Sequence, residues 1–145
     1  MNSKKKIILV EIIGALFILL FVYAALMKVI DYQKFRIELG KSPLLNGYAG
    51  IISIAIPGIE LLISLLIAIK RFQYYALYLA FILMAIFSAY IVAILNFSPY
   101  VPCSCGGILQ NMTWTQHLFF NVGFILLGAI AILIYPDRKK ELTRE

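Results

Sequence analysis

The sequence predicts an all-α integral membrane protein, a bundle of four transmembrane helices. Of its 145 residues, 63% are hydrophobic and only 14% are charged, whereas a soluble domain is roughly half apolar and about a quarter charged. The apolar residues are grouped in runs of about 20 or more, the length that crosses the hydrocarbon core of a bilayer. Runs of this length favour helices over the alternating strands of about 10 residues that form outer-membrane barrels.

Four such runs follow one another along the chain. They span approximately residues 7–30, 48–69, 72–97 and 115–135. Three tyrosines, Tyr74, Tyr75 and Tyr78, lie at the start of the third run, as in the aromatic belt of a membrane interface. Because four spans and their short connections use up the length of the chain, we expect residues 1–145 to form one transmembrane domain.

The basic residues flank the apolar runs, so the net charge of +6 indicates membrane topology and no nucleic-acid partner. With the N-terminus inside, nine Lys and Arg residues lie on the cytoplasmic side and four on the other. The four are Lys28, Lys34, Arg36 and Lys41. This bias predicts that both termini are cytoplasmic in a bacterial inner membrane and that the loop before the fourth run faces the oxidising periplasm.

The second run carries a stripe of small and polar residues, which predicts that this face packs against other helices rather than lipid. The stripe consists of Gly50, Ser53, Pro57, Glu60 and Ser64. The fourth run has a weaker stripe that includes His117 and Asn121.

Glu60 is the most informative of these residues, because an ionisable group at membrane depth is costly and by default indicates a functional site. We expect Lys28 not to reach it, since an axial gap of about 15 Å separates them, and to anchor at the membrane interface instead. Glu60 is therefore predicted to be protonated, or hydrogen-bonded to Ser53, Ser64 or Asn121. It could join two helices structurally or accept a proton in quinone or thiol chemistry.

The two cysteines, Cys103 and Cys105, lie in an uncharged loop rich in proline and glycine. A disulfide across a single residue stabilises little through loop closure, and strained, exposed disulfides are typical of redox-active pairs. Three interpretations stay open: thiol–disulfide exchange, binding of copper or zinc with Met112 and His117 as further ligands, and two inert thiols. In the redox interpretation, Glu60, His117 and Asn121 are candidates for proton handling.

Three segments resemble the MauE family of methylamine-utilisation proteins and the related DoxX-like redox-associated membrane proteins. They are residues 26–31 (LMKVID), 57–62 (PGIELL) and 102–107 (PCSCGG). The resemblance covers nearly the whole chain, and the cysteine motif in its four-helix setting is its most specific part. Where the family usually has Phe-Gly after the cysteines, this chain has Gly106-Gly107.

The resemblance implies a four-helix inner-membrane protein in which Cys103 and Cys105 are the catalytic pair. They would exchange a disulfide with a periplasmic thioredoxin-like partner. The exchange would be linked to a quinone or to maturation of a disulfide-containing protein, methylamine dehydrogenase in the namesake system. The alternatives are a periplasm-facing membrane protein that binds copper or zinc, and a non-catalytic membrane anchor subunit.

Overall fold

The computed structural model describes residues 2–41, 46–97 and 114–136, and within these ranges the chain is helical without any strand. The α-helices are α1 (Ser3–Ile30), α2 (Tyr32–Lys41), α3 (Ala49–Ala68), α4 (Gln73–Phe97) and α5 (Trp114–Leu133). A short 3-10 turn, Asn46–Tyr48, precedes α3. Helix α1 begins earlier than predicted, because Asn2 caps it by accepting a hydrogen bond from the Lys4 amide at 3.4 Å.

Helices α1, α3, α4 and α5 are long and apolar enough to cross a membrane. Large apolar side chains point outward on each of them, for example Leu19, Ile51, Ile86 and Phe119. Water would penalise so continuous an apolar surface, whereas lipid covers it without cost. The chain is therefore a multi-pass membrane protein, and the predicted all-α membrane bundle is confirmed.

Helix α2 is the element that the sequence does not predict. Its ten residues include several charged ones, so no apolar run in the sequence predicts it. Among the α2 side chains that the structure describes, Phe35 and Leu39, one turn apart, are buried and face the bundle. The Tyr32 hydroxyl is hydrogen-bonded to Ser53 Oγ at 3.3 Å, so α2 is joined to the first part of α3. Helix α2 thus lies over the end of the bundle at which α1 ends and α3 begins.

The opposite end of the bundle is joined by polar side chains. Lys70 donates to the Glu11 carboxylate, and Gln73 Nε2 donates to the same oxygen at 3.3 Å. The Tyr135 hydroxyl donates to Gln73 Oε1 at 3.1 Å. These contacts bring together the first half of α1, the turn between α3 and α4, and the segment after α5. The four long helices therefore alternate in direction, and we name the two ends the Glu11 end and the Lys28 end.

Phe17 of α1 lies at the centre of the apolar core and is completely buried. Its ring centroid is 5.8 Å from that of Phe21 and 5.2 Å from that of Phe124 in α5. A Cβ atom on Gly128 of α5 would lie only 3.3 Å from Phe17 Cζ. Three residues before Phe17 on α1, a Cβ atom on Gly14 would lie 3.2 Å from a methyl group of Ile67 in α3. Small residues thus let both neighbours approach α1 closely.

Candidate functional site

A cavity of about 390 Å³ lies inside the bundle at the Lys28 end. Each of the five helices contributes to its wall, for example through Phe21, Leu39, Ile56, Ile91 and Phe120. Its volume falls within the range of roughly 300–1,000 Å³ that is usual for small-molecule sites. The wall is mainly apolar, and its few polar groups are therefore candidates for fixing the orientation of a ligand. We call this space the central cavity.

An ion pair between two transmembrane helices forms one side of the central cavity. Lys28 Nζ of α1 lies 2.7 Å from Glu60 Oε1 of α3. The Glu60 side chain is 1% exposed and that of Lys28 10% exposed. The ring centroids of Phe35 and Phe87 lie 5.9 and 5.8 Å from the Lys28 ammonium group, within the distance of a cation–π contact. The ammonium group is thus held by one carboxylate and two aromatic rings.

The expectation that Lys28 cannot reach Glu60 is wrong, and α2 explains why. That expectation places the end of α1 level with the start of α3. Instead Tyr32, just after α1, is level with Ser53, which is already inside α3. Measured from the Tyr32–Ser53 contact toward the middle of the bundle, Lys28 lies four residues along α1, about 6 Å. Glu60 lies seven residues along α3, about 10 Å. The lysine side chain spans the remaining distance, so it is a buried partner rather than an interface anchor.

The serines that the sequence offers as partners of Glu60 do not bond its carboxylate. Ser64 Oγ donates to the backbone carbonyl of Glu60 at 2.8 Å. Ser53 Oγ donates to the backbone carbonyl of Gly50 at 2.9 Å. Both serines therefore satisfy their hydroxyl groups along α3 and beside α2, and the Glu60 carboxylate is left with Lys28 as its hydrogen-bond donor among the described residues.

Two buried polar atoms on the cavity wall have no hydrogen-bond partner among the described residues: Glu60 Oε2 and Asn121 Nδ2. Asn121, on α5, is 3% exposed. More than about nine in ten buried polar groups in native proteins are hydrogen-bonded, because an unpaired one costs free energy. An acceptor and a donor that both line one apolar cavity indicate a place where a bound molecule could complete the hydrogen bonds.

The three residues predicted to handle protons lie on the wall of the same cavity. Glu60 comes from α3, while His117 and Asn121 come from the first eight residues of α5. Four residues separate His117 from Asn121, so both belong to the same face of the helix. The sequence predicts the two stripes separately, and the packing of α5 and α3 around the cavity brings them to one site.

Cys103, Cys105 and Met112 lie outside the described residues, so the predicted cysteine pair and the alternative metal-ligand set are not located. They belong to the segment between α4, which ends at Phe97, and α5, which begins at Trp114. Within residues 2–41, 46–97 and 114–136, no three His, Cys, Asp or Glu side chains are grouped so that they could hold a metal ion.

Sequence reasoning missed Lys28 as a site residue. The available signal was the pair of opposite charges placed within two different apolar runs, since burying one such charge favours burying the other beside it. The aromatic rings of Phe35 and Phe87 gave no comparable signal, because phenylalanines are frequent throughout the chain.

The fold and the central cavity define a small multi-pass α-helical membrane protein with a buried ion pair in an apolar site. The chain belongs to the MauE family, since the family model described as methylamine utilisation protein MauE matches residues 6–134. This match runs from the first turn of α1 to just past the end of α5 and confirms the family resemblance seen in the sequence. Comparison with curated proteins and with solved structures gives no match.

Proposed function

We propose that this protein performs thiol–disulfide exchange at the periplasmic face of the bacterial inner membrane. Cys103 and Cys105 are the exchanging pair, and a soluble thioredoxin-like protein is the partner. Membership of the MauE family supports a membrane protein of this kind. The bias of Lys and Arg toward the Glu11 end supports an orientation in which the Lys28 end faces the periplasm.

One observation carries the proposal: the central cavity lies at the end of the bundle where the loop with the cysteines joins α4 and α5. Cys105 precedes Trp114 by nine residues, a stretch that reaches at most about 30 Å. Because His117 and Asn121 follow directly in α5, the cysteines are connected by a short segment to the polar wall of the cavity. This supports a site that combines a thiol pair with groups able to hold or pass protons.

The exchange needs no further reactant. A thiolate of one protein attacks the disulfide of the other, forms a mixed disulfide and releases one thiolate, which takes up a proton. The second thiol of the attacking protein then displaces the partner and gives up its own proton. Two electrons have then passed between the proteins, one of which ends with a disulfide and the other with two thiols. Glu60, His117 and Asn121 are proposed to handle the protons on the membrane side.

The mixed disulfide can be trapped when the resolving cysteine is removed. One cysteine of the pair forms the mixed disulfide, and the other, the resolving cysteine, breaks it. We expect either Cys105→Ser or Cys103→Ser to remove the resolving cysteine. That variant should accumulate a covalent adduct with a periplasmic thioredoxin-like protein. The adduct is detected as a reductant-sensitive band on a non-reducing gel, and its components are identified by mass spectrometry.

The double variant Cys103→Ser/Cys105→Ser is the matched control and should form no adduct. Failure of both single variants to form one would contradict the exchange. Copper or zinc that is retained by the purified wild-type protein and lost from the double variant would instead support the metal-binding alternative.

A further inference from the structure

We propose that the central cavity binds the ring of a lipid-soluble quinone and prefers its reduced form, the hydroquinone. The inference deepens the proposed function by naming the class of molecule that meets the thiol pair from within the membrane. Its evidence is separate, however, because it comes from the wall of the cavity and not from the cysteine loop.

The two unpaired polar atoms of the wall determine which hydrogen-bonding groups a ligand must carry. Glu60 Oε1 is occupied by Lys28, so the free oxygen Oε2 needs a hydrogen-bond donor. The Asn121 amide nitrogen needs an acceptor. A phenolic hydroxyl group is both a donor and an acceptor, and a hydroquinone carries two of them. A quinone offers carbonyl oxygens alone, which could satisfy Asn121 but not the carboxylate.

The rest of the wall fits a flat apolar ring better than a lipid chain or an anion. Phe35, Phe87, Phe120 and Tyr90 present aromatic side chains to the cavity, and aromatic rings pack well against one another. A fatty acid or a phosphate group would bring negative charge beside the Glu60 carboxylate, whose charge Lys28 already balances. An alkyl chain would leave both polar atoms unpaired, at the cost of burying them.

The cavity also reaches the surface that faces lipid. Ile59 of α3 and Ile86 of α4 line it, and they are 44% and 57% exposed. The proposed entry for a molecule dissolved in the membrane is therefore between α3 and α4, where it need not cross water. An isoprenoid tail attached to the ring would stay in the lipid while the ring occupies the cavity.

The electrons and protons that a quinone takes up equal those that a dithiol gives up in the proposed exchange. A quinone that takes up two electrons and two protons becomes a hydroquinone, and a dithiol that gives up two electrons and two protons becomes a disulfide. The two couples can therefore exchange without a further reactant, and the buried polar groups lie where the hydroxyl protons are gained or lost.

Binding is tested with the purified full-length protein in lipid nanodiscs under anaerobic conditions. The double variant Cys103→Ser/Cys105→Ser is used as background, so that the probe cannot react with thiols and a failure of the proposed exchange cannot affect the result. The probe is ubiquinone with one isoprene unit, titrated in its oxidised and its reduced form by calorimetry, with empty nanodiscs as the blank. We expect saturable binding that is about tenfold or more tighter for the reduced form, because a hydrogen bond to a carboxylate is among the stronger ones.

The matched variants are Asn121→Leu and Asn96→Leu, which make the same change on two helices. Asn121→Leu should weaken binding of the reduced probe about fivefold or more, because it removes the cavity's amide donor. Asn96 is exposed and donates to the Val92 carbonyl, so Asn96→Leu should leave affinity unchanged. Circular dichroism confirms that each variant is folded.

Three results of the titrations would overturn the proposal: no saturable binding, equal affinity for the oxidised and reduced probes, or equal affinity of Asn121→Leu and its background. Native mass spectrometry of the wild-type protein distinguishes a phospholipid occupant. A co-purified phospholipid that the reduced probe does not displace would likewise overturn it.

Discussion

Replacing Lys28 with methionine is expected to lower the free energy of unfolding by about 3–5 kcal/mol, the usual cost of leaving a buried charge without its partner. Glu60 is 1% exposed and has no other hydrogen-bond donor on its carboxylate among the described residues. Methionine keeps most of the length of the lysine side chain and can still pack against Phe35 and Phe87. The loss therefore reports the missing charge rather than missing volume. It is measured by denaturant unfolding in micelles, followed by circular dichroism.

Two controls make this result specific. The double variant Lys28→Met/Glu60→Leu should recover most of the lost stability, since replacing both partners of a buried pair by apolar residues is often neutral. At the opposite end, Lys70 pairs with Glu11 while both side chains are well exposed, at 59% and 40%. Lys70→Met should therefore cost no more than about 1 kcal/mol. Equal losses for Lys28→Met and Lys70→Met would contradict the burial of the first pair.

Phe17→Ala is expected to destabilise the bundle by about 3 kcal/mol, the lower end of the range for such substitutions in protein cores. The ring contacts Phe21 on its own helix and Phe124 on α5, so its removal leaves a void between two helices. We place the loss at the lower end because lipid is as apolar as the core, and packing rather than water exclusion holds membrane helices together. Thermal unfolding in micelles measures it.

Leu19→Ala is the matched control for Phe17→Ala. It lies two residues away on the same helix, but its side chain is 68% exposed and faces outward. We expect it to change stability by less than about 0.5 kcal/mol, as at surface positions in general. A loss at Leu19 as large as that at Phe17 would show that α1 is turned differently in the bundle.

The sequence predicts the four membrane helices well, because each consists of one long apolar run that only a bilayer can accommodate. It also singles out Glu60, His117 and Asn121, polar residues within apolar runs, and the structure places all three on the wall of the central cavity. The pairing of Glu60 with Lys28 could not be predicted in this way. The position of Lys28 relative to Glu60 depends on α2, because Tyr32 of α2 contacts Ser53, which is already inside α3. The polar sequence of α2 carries no transmembrane signal, so this offset between α1 and α3 could not be predicted.

The aromatic rings around the Lys28 ammonium group are a second feature that the sequence does not predict. Phe35 belongs to α2 and Phe87 to α4, and nothing in their local sequence distinguishes them from the other phenylalanines. Their role arises only when three helices meet at one point. A cavity is likewise a property of the packed bundle, so its volume and the set of side chains that line it have no counterpart in the linear pattern.

The measurement that tests thiol–disulfide exchange most directly is the redox state of Cys103 and Cys105 in living cells. Cells are quenched in acid, and free thiols are tagged with a mass-shifting maleimide, with and without prior reduction. Because the chain has two cysteines in total, the number of tags reads the state of the pair directly. We expect an oxidised fraction that gains two tags after reduction and that changes when the thioredoxin-like partner is deleted. Two free thiols under every condition would contradict the exchange.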